Sequence, residues 1–173
     1  MKTSTVHLSQ PSRMYETKND IPLKRRLELN ALLNLRLAGA IDLQMQMKQA
    51  HWNVKGPSFI GLHELFDQIY AAVGSYVDEI AERIVQLGGI AEGTVRVSAS
   101  RSHLDEYPHV IGDGAAHVTA VVKALSVYGH EVRATIDEVE ELDDADIADI
   151  LTEVSRGLDK WLWFVEAHAQ AGK

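Results

Sequence analysis

Between Leu62 and Leu87 the apolar residues fall three or four apart, at Leu62, Phe66, Ile69, Val73, Tyr76, Ile80, Ile84 and Leu87. That is the period of one face of an α-helix, and its persistence commits the whole segment to a long helix. Ser58 stands ready to cap its start after the turn at Lys55-Gly56-Pro57, and Gly88-Gly89 stops it. Upstream, residues 22–50 are rich in Leu, Ala, Arg, Gln and Met, with Gly39 the one interruption. These are strong helix formers, with Asp20 as a candidate N-cap and Pro22 in the first turn. A third helix is expected over 114–141, capped by Asp113 and broken by Asp143-Asp144, and a fourth over 146–169. Residues 90–112 hold β-branched, Gly and Pro residues without a sustained period. That is long for a connection inside a compact domain.

Four helices with one long connection between the second and third make an all-α, ferritin-like four-helix bundle, with room for a short helix in the crossover. The 173 residues suit one domain. We place the bundle at 21–170, a flexible polar N-terminal tail at 1–20 and a short C-terminal tail at 171–173. Only 12 Gly and 4 Pro oppose a many-turned β-sandwich. The absence of cysteine excludes disulfides, thiolate metal sites and cysteine nucleophiles, so any metal must be held by His, Asp and Glu. A net charge of −8 makes nucleic acid a poor first partner. No apolar run is long enough to cross a membrane and the N-terminus does not read as a signal peptide, so a cytoplasmic protein is expected.

The second helix carries a pattern of potential metal ligands. His63 and Asp67 are four residues apart and share a face, as do Asp78 and Glu82. Asp67 and Asp78 are separated by about three turns of 3.6 residues, so all four fall on one side of the helix. That side is displaced from the apolar stripe by one residue, or roughly 100°, and need not face the bundle's own core. At about 1.5 Å rise per residue the two pairs stand roughly 16 Å apart, whereas metal–ligand bonds are about 2.0–2.3 Å. One helix therefore cannot bring both pairs to one ion. The midpoint of 63 and 82 is 72.5, and so is the midpoint of 67 and 78. A second copy of the helix, packed antiparallel across a two-fold axis at that point, sets His63 and Asp67 of one chain against Asp78 and Glu82 of the other. Two identical sites result. The centre, Ala71-Ala72-Val73-Gly74-Ser75, is small enough for close approach. His51, followed by Trp52, is available as a further ligand. Any one of these residues alone reads as a solvated helix flank; the symmetric set of four points to a shared site.

The stretch His51-Trp52-Asn53-Val54-Lys55-Gly56, followed by Leu62-His63 and Asp67, resembles the first signature of the Dps family, mini-ferritins named as DNA-binding proteins from starved cells. Val77-Asp78-Glu79-Ile80-Ala81-Glu82-Arg83, with Leu87-Gly88, resembles the second. The resemblance covers residues 22–170, including the closing Leu158-Asp159-Lys160-Trp161-Leu162-Trp163-Phe164, and does not extend into 1–20. It implies a hollow homododecamer with ferroxidase centres between two-fold-related chains. His51, His63 and Asp67 would come from one chain, Asp78 and Glu82 from the other, with two iron ions per centre. It implies oxidation of Fe(II), preferentially by hydrogen peroxide, storage of ferric oxide inside the shell and protection from oxidative stress. By the same resemblance Asp78, Glu82 and His51 anchor the first iron, and His63 and Asp67 hold a weaker second. Lys48 would pair with Asp67, and Trp52 would take up a stray oxidising equivalent. Imidazole with hard carboxylates suits Fe(II), and the lack of soft ligands argues against copper. Ferritins of other kinds use Glu-x-x-His motifs inside one bundle. The only such motif here, Glu106-Tyr-Pro-His109, is put in the crossover by Pro108 and is set aside.

The charge is uneven. Residues 137–153 hold nine acids and no base. They form either a solvated surface turn or an iron pore where three chains meet, since converging acids concentrate cations. Asp144, Asp146 and Asp149 are the pore candidates. Residues 1–26 hold six bases and two acids, a balance of +4. Lys2, Arg13 and Lys18 are the bases there that a tail could offer to DNA. Twelve chains at −8 each would total about −96, so DNA binding is expected to be weak or absent. The rival reading is a DNA-compacting, nucleoid-associated protein in which the metal site is secondary. His7, His103, His117, His130 and His168 lack partners at ligand spacing and read as surface or core histidines.

Overall fold

The computed structural model describes residues 13–170. Five helices follow one another: α1 (Leu23–Asn53), α2 (Phe59–Gln86), the short α3 (Val95–Arg101), α4 (Gly114–Glu141) and α5 (Ala145–Gln170). The four long helices are those expected from periodicity, and α3 is the short helix in the crossover. Among the described residues no helix is long and apolar enough to cross a membrane.

α1 lies along α2 and α4 along α5, with α1–α4 and α2–α5 contacts closing the bundle. Between them sits one apolar core. α1 contributes Leu29, Leu33, Leu37, Leu43 and Met47, α2 Phe66, Ile69, Val73, Ile80 and Ile84, α4 Leu125 and Val132, and α5 Leu151, Val154 and Leu158, all essentially without solvent exposure. Each fully buried side chain of this kind is worth about 1.5–3 kcal/mol relative to an exposed one. The α2 residues in that set are the apolar stripe read from the sequence, so the stripe fixes which face of α2 turns inward and which turns out.

The helix ends differ in part from expectation. Asp113 caps α4 as expected, its carboxylate accepting from the Ala116 N–H at 3.0 Å. Asp20 does not cap α1. Pro22 occupies the N-cap position, with no side-chain hydrogen bond to the first turn. Ser58 holds the N-cap position of α2, but its hydroxyl makes no cap bond. Part of the expected N-terminal tail touches the bundle. Residues 13–20 are fixed against the bundle rather than free: the Tyr15 N–H donates to the Gly88 carbonyl at 2.7 Å, and the Asn30 amide reaches the Met14 sulfur at 3.4 Å. Gly88 is obligatory there. Its φ is +82°, and a Cβ would lie 2.6 Å from the Tyr15 carbonyl oxygen. Buried Arg26 seals the junction, donating to the Leu87 and Ile21 carbonyls. The expected C-terminal tail, 171–173, and residues 1–12 lie outside the described residues.

Candidate metal centre

α2 presents one outward line at intervals of three and four: His63, Asp67, Ala71, Ser75, Asp78 and Glu82. His63 and Asp67 are half-buried, and Ala71, Ser75, Asp78 and Glu82 are exposed. Val73, at the centre of the numbering, points into the core, and a Cβ on Gly74 would meet the Gln44 amide of α1 at 2.6 Å. The small residues that face outward at the midpoint are therefore Ala71 and Ser75.

The His63 end is built as a unit with the end of α1. The His51 and His63 rings stack with centroids 3.7 Å apart. Each Nδ1 lies 2.8 Å from the other residue's backbone carbonyl oxygen. A carbonyl only accepts, so each Nδ1 carries the proton and donates. Both Nε2 atoms are then left with free lone pairs, the tautomer a metal ligand needs. Phe59 packs against the His63 ring at 5.0 Å. The Lys48 ammonium contacts the Asp67 carboxylate and lies 4.6 Å over the Tyr70 ring. That hydrogen bond, followed by the Lys48 charge, holds the Asp67 carboxyl below its usual range. His51, His63 and Asp67 share an open groove with Ile60, Glu64, Gln68 and Ala71. Trp52, next to His51, is exposed.

At the other end, neither Asp78 nor Glu82 is hydrogen-bonded or ion-paired among the described residues. Arg83, the next residue, is turned about 100° round the helix and is buried. Its guanidinium meets Asp144 at 3.3 Å and Asp146 at 3.2 Å. The two ends of this face belong to one continuous helix, and among the described residues no three His, Asp or Glu side chains of one chain converge on a common point. One chain offers two imidazole nitrogens and a carboxylate along one groove and two carboxylates further along α2.

Residues 30–173 match the model of the ferritin-like domain. The DNA protection during starvation protein of Agrobacterium fabrum is 43% identical over 156 residues, spanning 90% of this chain and 96% of that one. This chain belongs to the Dps family. Solved Dps structures share its fold: Dps of Mycobacterium smegmatis has a TM-score of 0.84 at 34% identity, covering 89% of this chain and 94% of that one. DpsA14 of Streptomyces coelicolor has a TM-score of 0.86 at 33% identity, covering 94% and 96%.

Within this Dps chain the remaining sequence candidates are placed as follows. Asp144, one of the three pore candidates, has partners inside its own chain. It is buried, its carboxylate accepts from the Ile147 N–H at 2.9 Å at the start of α5, and it faces Arg83. Asp146 is exposed but leans on Arg83, and Asp149 is exposed. Arg13 stacks on the Tyr15 ring at 5.0 Å, Lys18 is exposed, and Lys2 lies outside the described residues, as does His7. His109 pairs with Glu106 at 3.0 Å on the exposed crossover, away from α2. His117 is fully buried, and His130 and His168 are exposed. The sequence reading missed the reciprocal imidazole–carbonyl bonds and the role of Arg83. Neither has a motif, since both join residues distant along the chain.

Proposed function

We propose that this chain oxidises Fe(II) at sites shared by two copies related by a two-fold axis, and that the ferric product is stored inside a closed shell of twelve subunits. The observation that carries the reading is the outward line on α2, with its ligand pairs symmetric about Ala71 and Ser75. Antiparallel pairing of two such lines completes two identical sites, each with His51, His63 and Asp67 from one chain and Asp78 and Glu82 from the other. The free Nε2 lone pairs and the carboxylates form a hard, mixed N/O set that suits Fe(II).

In this reading the carboxylates of Asp78 and Glu82 with His51 hold one Fe(II), and His63 and Asp67 hold a second, more weakly. Lys48 keeps Asp67 ionised and oriented without occupying all of its oxygen lone pairs. Two Fe(II) ions in one site give up one electron each to one hydrogen peroxide. With two protons, the products are two Fe(III) and two water molecules, and no hydroxyl radical is released. The Agrobacterium relative is named for DNA protection. Removal of peroxide and Fe(II) protects DNA without contact, and the sparse bases at Lys2, Arg13 and Lys18 make direct binding weak. A gel shift that persists from low to moderate salt would reverse that last point, because phosphate contacts weaken steeply with salt.

The test is complementation. His63→Ala/Asp67→Ala and Asp78→Ala/Glu82→Ala chains are each expected to oxidise iron no faster than buffer. Co-assembled in equal amounts, they should regain about a quarter of wild-type activity, since half the dimers are mixed and one of their two sites is intact. If the mixture stays inactive while mixed assemblies form, the shared site is wrong.

A further inference from the structure

Beyond α2, the most unusual polar contact in the molecule is a buried tyrosine–histidine pair. The Tyr107 hydroxyl, on the crossover, lies 2.7 Å from Nδ1 of His117 on α4. Tyr107 is 5% exposed and His117 0%. Their rings lie nearly parallel, 24° apart with centroids at 5.9 Å. The other imidazole nitrogen, Nε2, is buried without a hydrogen-bond partner, and the Asn53 and Ile111 carbonyls lie beside the ring. The Tyr107 hydroxyl has no other acceptor among the described residues, so its O–H donates to Nδ1, which leaves the imidazole hydrogen on Nε2.

We propose that Tyr107 and His117 form a redox site that gives up one electron to an oxidising equivalent set loose in the protein, with the phenolic proton passing to His117. Tyrosine is hard to oxidise unless its proton leaves with the electron, and a base already hydrogen-bonded to the hydroxyl permits that. Tyr128 donates instead to the Arg36 backbone carbonyl, which cannot take a proton. Among the described residues, no hydrogen bond joins Tyr15, Tyr70 or Tyr76 through its hydroxyl to a histidine. Burial favours the neutral phenol and the neutral imidazole, so at rest the pair is uncharged and poised. Once His117 is protonated, Asp113 opposes the new charge favourably, while Lys55 opposes it unfavourably.

The pair sits behind the proposed iron half-site. Phe66, the residue before Asp67, has its ring 6.5 Å from His117, and the Asn53 carbonyl beside the imidazole ends the helix that carries His51 and Trp52. The oxidant follows from the proposed chemistry, on which this role rests. When a site holds one Fe(II) instead of two, hydrogen peroxide accepts one electron and leaves hydroxide and a hydroxyl radical. The radical takes one electron and becomes a second hydroxide. Tyr107 supplies that electron and becomes a neutral tyrosyl radical, its O–H bond breaks, and His117 becomes imidazolium.

Two arms of one electron paramagnetic resonance experiment separate the pair from the iron reading. In iron-free protein, azide radicals generated by pulse radiolysis supply the oxidant, and samples are frozen after migration. The expected signal is a tyrosyl radical with an exchangeable, hydrogen-bonded proton visible by electron–nuclear double resonance in water against deuterium oxide. Tyr107→Phe should remove most of that signal, and His117→Gln should lower its yield and alter the proton coupling. An unchanged tyrosyl spectrum in folded Tyr107→Phe overturns the proposal. If that variant does not fold, wild-type protein whose radical lacks the exchangeable coupling overturns it equally. In the second arm, Fe(II) below one per site and hydrogen peroxide replace the azide radical. Appearance of the same radical supports the link to iron, and its absence here, with a positive first arm, overturns the iron-derived oxidant while leaving the pair.

Discussion

The two ends of the outward face of α2 are built on different plans. At the His63 end the side chains hold one another in place: two imidazoles stack, trade hydrogen bonds with each other's backbones and leave their Nε2 atoms free, and Lys48 braces Asp67. At the Asp78 end the two carboxylates stand in solvent, and the bracing is on the neighbouring buried face, where Arg83 ties α2 to Asp144 and Asp146. Imidazoles have to be held in one tautomer and orientation to serve as ligands. Carboxylates can accept along several lone-pair directions, so an anchored helix is enough to place them. The contrast fits a site in which one chain brings the rigid half and the other brings the adaptable half.

The sharpest way to break that contrast is to keep both halves and prevent them from meeting. Ser75 is exposed and lies on the outward line between them, near the midpoint at 72.5. Ser75→Trp should leave the monomer's helix content unchanged, because no core contact is touched, while the bulk at the seam stops two α2 helices from approaching. Sedimentation should show loss of the dimer and of the larger assembly, and iron oxidation should fall to the rate in buffer. Retention of both assembly and activity would mean that the pairing does not run along this line.

A smaller effect tests the bracing behind the open half. Asp144→Ala leaves the buried Arg83 guanidinium without its main counter-charge and removes the cap of α5. Breaking a buried pair costs about 3–5 kcal/mol, and a lost N-cap about 1 kcal/mol. Asp149→Ala, on an exposed acid a few residues away, should stay within about 0.5 kcal/mol. Urea unfolding of the two variants decides whether these neighbouring acids have the separate duties assigned to them.

That pair also marks where sequence reasoning stops. Periodicity located the four long helices, because a stripe repeated over many turns averages out local exceptions. The outward line of His63, Asp67, Asp78 and Glu82 on α2 was legible because spacing on a helix translates directly into direction. Nothing comparable exists for a run of acids at a turn: composition places nine acids at 137–153 but does not say that Asp144 folds inward while Asp149 stays out. The contacts of residues 13–20 with the bundle are hidden for a related reason. Residues 13–20 look like polar coil, and what fixes them is a backbone bond to Gly88 across the fold. Tyr107 and His117 are ten residues apart across a loop and a helix start, so no period links them.

The smallest expected effect concerns the locked half and carries a pH signature. Asp67 has its carboxyl pKa held down chiefly by the Lys48 hydrogen bond. A depressed carboxyl pKa contributes stability that is fully present above the unfolded-state value, about 3.9 for Asp, and is lost as pH falls through the lower folded-state value. Lys48→Met should therefore destabilise the metal-free protein near neutral pH, and the gap from wild type should close in acid. Asp67 is half-exposed, so solvent screening limits the gap to about 0.2–1 kcal/mol. Denaturation at pH 7 and at pH 3 measures the gap, and a carboxyl titration by nuclear magnetic resonance should show the Asp67 midpoint rising toward its ordinary value in the variant. A gap that persists undiminished in acid would show that Lys48 acts through its contact with the Tyr70 ring and not through Asp67. In that event the His63 end would be rigid through its imidazoles alone, and the carboxylates at both ends of α2 would be alike in waiting for the metal to orient them.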